Sequence, residues 1–496
     1  MHRLKSSGGW LLLVFLMIVP AWAPLTAPGW FELHSGFSPL YHLNELAGGL
    51  PTLTAPADPW RGEGPLPYAL ALPWRALGAA TALKLTLALA VIAGPLGLFL
   101  AVRRLLDKPA ALVASVLFAY LPFTLTALYR RGAVAEVLLL ALLPWLGWAM
   151  LRVCGRPSVR SGLVVALLAA ALIWTQTGLA LLSLLTFSLL PLLIAAPWRL
   201  RRAGWLSLAL GAAAGLLSRF AWPGAFAAAP VTFADHAVYL FQLITGSSGF
   251  GLSQPGWQDD LSFTPGLAAL GLALLAWWPA DHADVAASTL NAWRRVWTAV
   301  AVVGLAAAVV PLPLGGLLTY PWQSLGLVGL ALCGLAAVGM ARHPVLHAWP
   351  LLGACLALIV LSAYPSLTPR RVPAPLRPAP VAIYGDTARQ IVLVNMETTG
   401  DLTAGGIVSA TLTWQAWQPP DFDYNFYLHV LDANDQRWGQ TDTQPVSGQP
   451  MTQWRVGQVI TGTVAVAVSP DAPSPLHLAF GLYDWRTGAR LPALLR

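Results

Sequence analysis

The stretch GWFELHSGFSPLYHLNELAGG, residues 29–49, gathers Glu32, His34, His42, Asn44 and Glu45, and Asp58, Arg61 and Glu63 follow soon after. A carboxylate here can take a proton from an acceptor hydroxyl, or hold a divalent ion that neutralises a phosphate leaving group; either imidazole can do the same. Glu32, His34, His42 and Asp58 are therefore the candidate catalytic groups, with Arg61 a candidate for substrate contact. The same residues include PLYHLNELAGG, whose apolar positions equally suit a short helix at a bilayer surface with its polar side wet.

Two further stretches carry chemistry. In LYRRGAVAEVLLLALLPW, residues 128–145, Arg131 and Glu136 stand five positions apart at the start of an apolar run. An ionised group there costs several kcal/mol unless it is paired or faces a water-filled cavity. Arg131 and Glu136 read either as a structural pair anchoring a span end or as a phosphate-holding site; Lys84 is open to a similar choice, because it can also snorkel. Residues 229–266 supply Asp235, His236, Gln242, Trp257, Asp259 and Asp260 beside aromatic residues. Rings that cover apolar sugar faces and carboxylates that accept hydroxyls make such a set a candidate sugar cleft. Wet interfacial loops have the same composition. The side chains of adjacent Asp259 and Asp260 diverge, so that pair is a weak metal signal, and the metal set stays unknown.

These residues must be positioned by membrane-spanning helices. The chain has 496 residues, 57% of them hydrophobic, and only 10% charged, against roughly 25% in a soluble domain. Apolar windows long enough to cross a hydrocarbon core of about 30 Å recur from residue 8 to residue 364. The expectation is about eleven spans, near 8–24, 79–101, 109–128, 134–153, 160–176, 178–196, 203–222, 264–279, 296–313, 320–340 and 346–363. The first could instead be a cleaved signal, but Ala21-Trp22-Ala23 is a poor cleavage site. Arg103, Arg104, Lys108, Arg152, Arg156, Arg160, Arg199, Arg201, Arg202, Arg294, Arg295 and Arg342 fall in alternate short loops when the N-terminus is cytoplasmic. That orientation puts the loops 25–78 and 223–263 and the tail after 364 outside. The positive-inside bias accounts for much of the net charge of +8 without a nucleic-acid partner. The three cysteines all lie in apolar segments and offer no external disulfide or thiolate metal site.

The tail changes character. Residues 367–380 are Pro-rich and read as a stiff linker after a transmembrane domain at 1–366. From 381 to 496, ARQIVLVNMET, GGIVSATLTWQAW, NFYLHVLDAND, VITGTVAVAVS and PLHLAFGLYDW alternate as short strands. About seven such strands suit an extracytoplasmic all-β sandwich. Trp414, Trp417, Tyr424 and His429 could bind carbohydrate there, although strand tryptophans more often fill a sandwich core. No P-loop, dinucleotide fingerprint, HExxH or CxxC is present, so nucleotide-driven pumping finds no support.

The order of these signals resembles the bacterial polytopic membrane proteins of the 6-pyruvoyl-tetrahydropterin synthase-related type, which are similar to GT-C glycosyltransferases. The resemblance rests on HSGFSPLYHLNEL at 34–46, GPLPYALA at 64–71, LYRRGAVAE at 128–136, WTQTG at 174–178, WPGAF at 222–226 and YPWQ at 320–323. LYRRGAVAE is the most specific of these, and the tail resembles the sandwich that follows such membrane regions. The resemblance implies a GT-C-like membrane domain in a bacterial cytoplasmic membrane. It further implies sugar transfer from a polyprenyl-phosphate donor at the outer face, by an external carboxylate base with or without a divalent metal. Three positions depart from the family pattern: Ser35 replaces an acid, Gln176 and Thr177 replace His-Asn, and Gln323 replaces Arg. A serine cannot do a carboxylate's base work at neutral pH. Either Glu32 or another loop carboxylate substitutes, or catalysis is lost and the scaffold kept.

Three functions follow as expectations. A glycosyltransferase would gather Glu32, His34, Arg131 and one of Asp235 to Asp260 around one cavity, with Arg61, Glu136, His236, Trp257, Asp259 and Asp260 contacting substrate. A non-catalytic scaffold would bind envelope glycan or protein through residues 381–496 and leave the loop groups splayed. A lipid or solute transporter would need ionisable groups at mid-span, where this chain has mostly Leu, Ala, Val and Gly.

Overall fold

A computed structural model describes residues 2–48, 63–193, 198–220, 233–245, 253, 255–259, 261–279, 287–311, 318–372, 380–385, 391–417, 420 and 422–495. It divides into two compact units. One comprises Met1–Pro28 and Glu45–Pro369, the other Gly29–Asn44 and Arg370–Arg496. The segment that opens the expected external loop therefore packs with the C-terminal region, something hydropathy has no means of reporting.

The first unit is helical. Among the described residues, seven helices are long and apolar enough to cross a membrane: Ala79–Val102, Lys108–Arg131, Val134–Gly155, Leu200–Phe220, Thr289–Val309, Pro321–Arg342 and Trp349–Leu367. The pair Gly8–Met17 and Val19–Thr26, bent by 45°, makes an eighth if it is one span. Each of the eleven expected windows contains helix, but Val159–Ile173, Thr177–Phe187 and Leu267–Leu274 have only 15, 11 and 8 residues. At 1.5 Å per residue they reach about 22, 17 and 12 Å, short of a hydrocarbon core. The break between the first two falls at Thr175 and Gln176, in the TQTG sequence.

Helix Ala79–Val102 packs on Val134–Gly155 and on Lys108–Ala119, and Leu325–Arg342 packs on Ala287–Val309. Trp198–Arg219 packs on Val159–Ile173 through Gly211 and Gly215; a Cβ at Gly211 would strike the backbone of Ala166. Small residues four apart permit this approach because dispersion, rather than hydrophobic burial, drives helix association in lipid. Tyr120 and Tyr129 donate hydrogen bonds to the carbonyls of Met17 and Ala21 at 2.8 and 2.6 Å, tying the first helix to Lys108–Arg131. Lys84 is buried and donates to the Ala27 carbonyl.

The second unit is β-rich. Strands β1 (Trp30–Phe31) and β2 (Arg371–Val372) pair antiparallel, and the Trp30 indole donates to Gly36 O at 3.1 Å. Strands β3 (Ala382–Tyr384), β4 (Ile391–Gly400), β5 (Ile407–Ala416), β6 (Asn425–Asp432), β7 (Arg437–Thr443), β8 (Val459–Ala467), β9 (Leu476–Tyr483) and β10 (Ala493–Leu495) form two antiparallel sheets. Their orders are β10-β3-β4-β5-β8 and β7-β6-β9. Alternation along β6 buries Phe426, Leu428 and Val430, which join Leu393, Leu412 and Trp414 in one core. Trp414 is completely buried and Trp417 nearly so, so these two fill the interior instead of presenting a binding face.

Candidate active site

Stretches around Glu63, Arg131, Gln176, Arg219, His236 and Trp322 meet inside the helical unit. Glu63 forms an antiparallel bridge with Gln176, and Leu66 N donates to Trp174 O at 3.2 Å. Gly64 lies so close to the Trp174 carbonyl that a Cβ could not be accommodated, which explains glycine at this position. The break in the helical run at TQTG thus supplies a strand-like edge that holds Glu63. Arg219, fully buried at the end of its helix, donates to the Glu63 carbonyl at 2.8 Å.

The Glu63 side chain accepts a 2.8 Å hydrogen bond from the Tyr68 hydroxyl. Enough protein surrounds this carboxylate that desolvation raises its pKa from the ordinary carboxylate range to about 7. The Tyr68 bond opposes that rise, the negative charge of Glu136 adds to it, and Arg131 works against it. Burial in turn holds the Tyr68 phenol well above its usual value, with the charge of Glu63 acting in the same direction.

Arg131 sits on a π-helical turn, Ala127–Arg131, that ends at Gly132 with φ of 68°. Such turns recur at functional sites because they re-aim side chains at the cost of regular hydrogen bonding. Helix Val134–Gly155 begins just beyond, with Glu136 in its first turn, where the helix dipole favours negative charge. Arg131 Nη2 reaches Glu136 Oε1 at 2.5 Å, both side chains being almost wholly buried. The guanidinium lies 4.5 Å from the Trp322 ring centre and 5.1 Å from that of Phe123. Trp322 stacks on Tyr320 at 4.7 Å, and Tyr320 meets His236 edge-on at 5.2 Å. Ser253 Oγ lies 2.9 Å from His236 Nδ1 and accepts from the Trp322 indole at 3.3 Å. Burial pushes the His236 imidazole below its usual pKa, against the pull of Asp259 and Asp235.

Three buried polar atoms at this place, Arg131 Nε, Glu136 Oε2 and Gln176 Oε1, have no hydrogen-bond partner among the described residues. In a hydrocarbon-like interior such atoms are costly and point to a polar ligand. Among the described residues, no three His, Cys, Asp or Glu side chains gather as a metal site.

Glu32, His34 and His42 belong to the second unit, where Glu32 pairs with Arg370 at 3.5 Å and His42 is buried on helix Ser38–Gly48. Asp235 lies beside His236 on a short helix, and its carbonyl accepts from Gly256 N at 2.8 Å. Gln242 donates to Asp259 and to the Trp257 carbonyl at 3.1 and 3.2 Å, while the Trp257 ring is exposed. Asp58, Arg61 and Asp260 lie outside the described residues.

The sequence marked Glu63 as one loop acid among many and Gln176 as a departure from the family pattern, and gave Tyr68, Arg219 and Trp322 no role. Tyr68, Gln176 and Trp322 lie in stretches that carry the resemblance, GPLPYALA, WTQTG and YPWQ, which was the available signal.

The fold defines a polytopic helical membrane protein with a β-rich C-terminal region. No protein-family model and no curated protein matches the sequence. Among solved structures, the arabinofuranosyltransferase AftD from Mycobacteria aligns over 73% of this chain and 26% of its own, at 19% identity and a TM-score of 0.45. ArnT from Cupriavidus metallidurans in the apo state aligns over 68% of this chain and 78% of its own, at 14% identity and a TM-score of 0.35. The chain thus spans about a quarter of the length of the first.

Proposed function

We propose that the helical unit is a membrane glycosyltransferase that moves a sugar from a polyprenyl-phosphate-linked donor to an envelope acceptor at the outer face, with Glu63 as general base. The observation that carries this reading is the Glu63 carboxylate, held near neutrality beside the buried Arg131–Glu136 pair. A base is most effective when its pKa lies near the working pH, because it is then both available and basic enough. Glu63 takes the proton from the acceptor hydroxyl as that oxygen bonds to the anomeric carbon. The bond from that carbon to the phosphate oxygen breaks, and its electron pair stays on the leaving polyprenyl phosphate. Arg131, already charged and stacked on Trp322, stabilises the added negative charge, and Tyr68 keeps the Glu63 oxygen aimed. His236 and Asp259 contact the sugar from the 233–259 region. This assignment supersedes Glu32 as the preferred base because Glu32 is engaged by Arg370.

Transfer of labelled sugar from a panel of polyprenyl-phosphate sugars tests the reaction, using the full-length protein in lipid nanodiscs with and without divalent ions. Glu63→Gln should lower turnover by about 10²–10⁴-fold, the usual range for removing a general base. Undiminished turnover in that variant would sink the assignment of Glu63. No transfer by wild type from any donor, with envelope glycan or protein still bound, would favour the scaffold.

A further inference from the structure

At the opposite end of the long helices an apolar cleft of about 460 Å³, counted out to its open mouth, runs between Ala79–Val102, Val134–Gly155, Ala287–Val309 and Leu325–Arg342. Leu98, Val102, Leu105, Leu151, Trp293 and Trp297 are among its lining residues, all of which are apolar. Arg104 and Arg152 immediately neighbour the lining residues Leu105 and Leu151. Their guanidinium carbons lie 5.4 and 5.5 Å from the centre of one ring, that of Trp148. The two charges are therefore no more than about 11 Å apart, near enough for one anionic group to lie close to both. Partial desolvation, and then the charge of Arg152, lowers the pKa of Arg104. Both side chains are exposed, and neither has an ion-pair partner among the described residues.

We propose that this is a binding site for an anionic glycerophospholipid, with one acyl chain in the cleft and the phosphate between Arg104 and Arg152. The occupant must be apolar enough for the cleft and anionic enough to pair with the two arginines that flank Trp148, and a phosphodiester headgroup on an acyl chain meets both demands. Trp148 adds an aromatic ring of the kind that sits at headgroup level. Arg152 lies sixteen residues beyond Glu136 on the same helix, about 24 Å at 1.5 Å per residue, so this site is separate from the one around Glu63. Its occupancy does not depend on the reaction proposed above.

Native mass spectrometry of the delipidated full-length protein, titrated with phosphatidylglycerol or with phosphatidylcholine of the same chains, tests this. Wild type should prefer phosphatidylglycerol by roughly 30-fold, as two arginines near a lipid phosphate imply at about 1 kcal/mol each. Arg104→Gln with Arg152→Gln should abolish that preference and leave phosphatidylcholine binding unchanged. Arg104→Lys with Arg152→Lys should keep it, and Ala101→Phe, which fills the cleft, should weaken both lipids. Thermal unfolding of each variant checks that the fold survives; any variant that fails is replaced by the single Arg104→Gln change, for which roughly a fivefold loss is expected. Equal binding of the two lipids by wild type, or a preference retained in the double Gln variant, would overturn the proposal. So would equally effective displacement by a polyprenyl phosphate, since the cleft would then belong to a donor lipid.

Discussion

Glu32 and Glu63 fall in one expected loop of the sequence, yet the chain delivers them to different compact units and to different chemistry. Glu32 follows strand β1, keeps about a third of its side-chain surface in solvent and faces Arg370, with no orphaned polar atom beside it among the described residues. Glu63 is bridged to Gln176, held by Tyr68 and desolvated until its pKa reaches about 7. A carboxylate enclosed beside both a second acid and an arginine carries the tension between charge and burial that acid–base chemistry exploits. Proximity in sequence thus says little about role, and the surroundings of each carboxylate say a good deal.

The largest expected effect is on Glu63 itself. Because its folded pKa lies above the unfolded carboxylate value, the folded state holds the extra proton between about pH 4.5 and 7, and stability falls as pH rises through that window. Glu63→Gln should therefore lose turnover while raising the thermal midpoint at pH 8, a gain that shrinks toward pH 4.5. Loss of activity together with loss of stability at pH 8 would mean that Glu63 serves the fold. Arg131→Ala comes next. It strands Glu136 in a buried site and should cost about 3–5 kcal/mol, as breaking one side of a buried pair does. Arg131→Ala combined with Glu136→Ala should recover much of that loss in a thermal unfolding series. If it recovers none, the two residues are not coupled as their geometry indicates.

Much of this arrangement was legible in sequence. Uncharged apolar windows gave the long helices, and strict alternation in NFYLHVLDAND gave β6, because in both cases one period decides which side chains meet an apolar phase. Arg131 and Glu136 were visible as a pair since both sit at one helix end, within reach of local geometry. Glu63, Tyr68 and Gln176 were harder. Their contact spans more than 100 residues and depends on a helix that breaks at TQTG, and periodicity carries no information about which distant segment fills such a break. Trp414 followed the commoner reading of a strand tryptophan: it is buried in the β-rich core with Phe426 and Leu412, as such residues more often are.

A smaller effect tests how finely Glu63 is tuned. The Tyr68 hydrogen bond favours the charged carboxylate, so Tyr68→Phe should raise the Glu63 pKa and shift the acid limb of the turnover profile to higher pH, with the alkaline plateau retained. An unmoved limb would assign the titration to another group.

The smallest effect is expected at Glu32. Its pair with Arg370 is half in solvent, so screening and side-chain entropy leave it about 0–1 kcal/mol, and Glu32→Gln should barely alter the unfolding of the β-rich unit. Turnover should also stay within about twofold of wild type, because Glu32 lies in the β-rich unit and is held by Arg370. The contrast is informative whichever way it falls. If Glu32→Gln abolishes transfer while Glu63→Gln spares it, the base is the carboxylate held by Arg370, and the raised pKa of Glu63 is a cost of desolvating it beside Gln176.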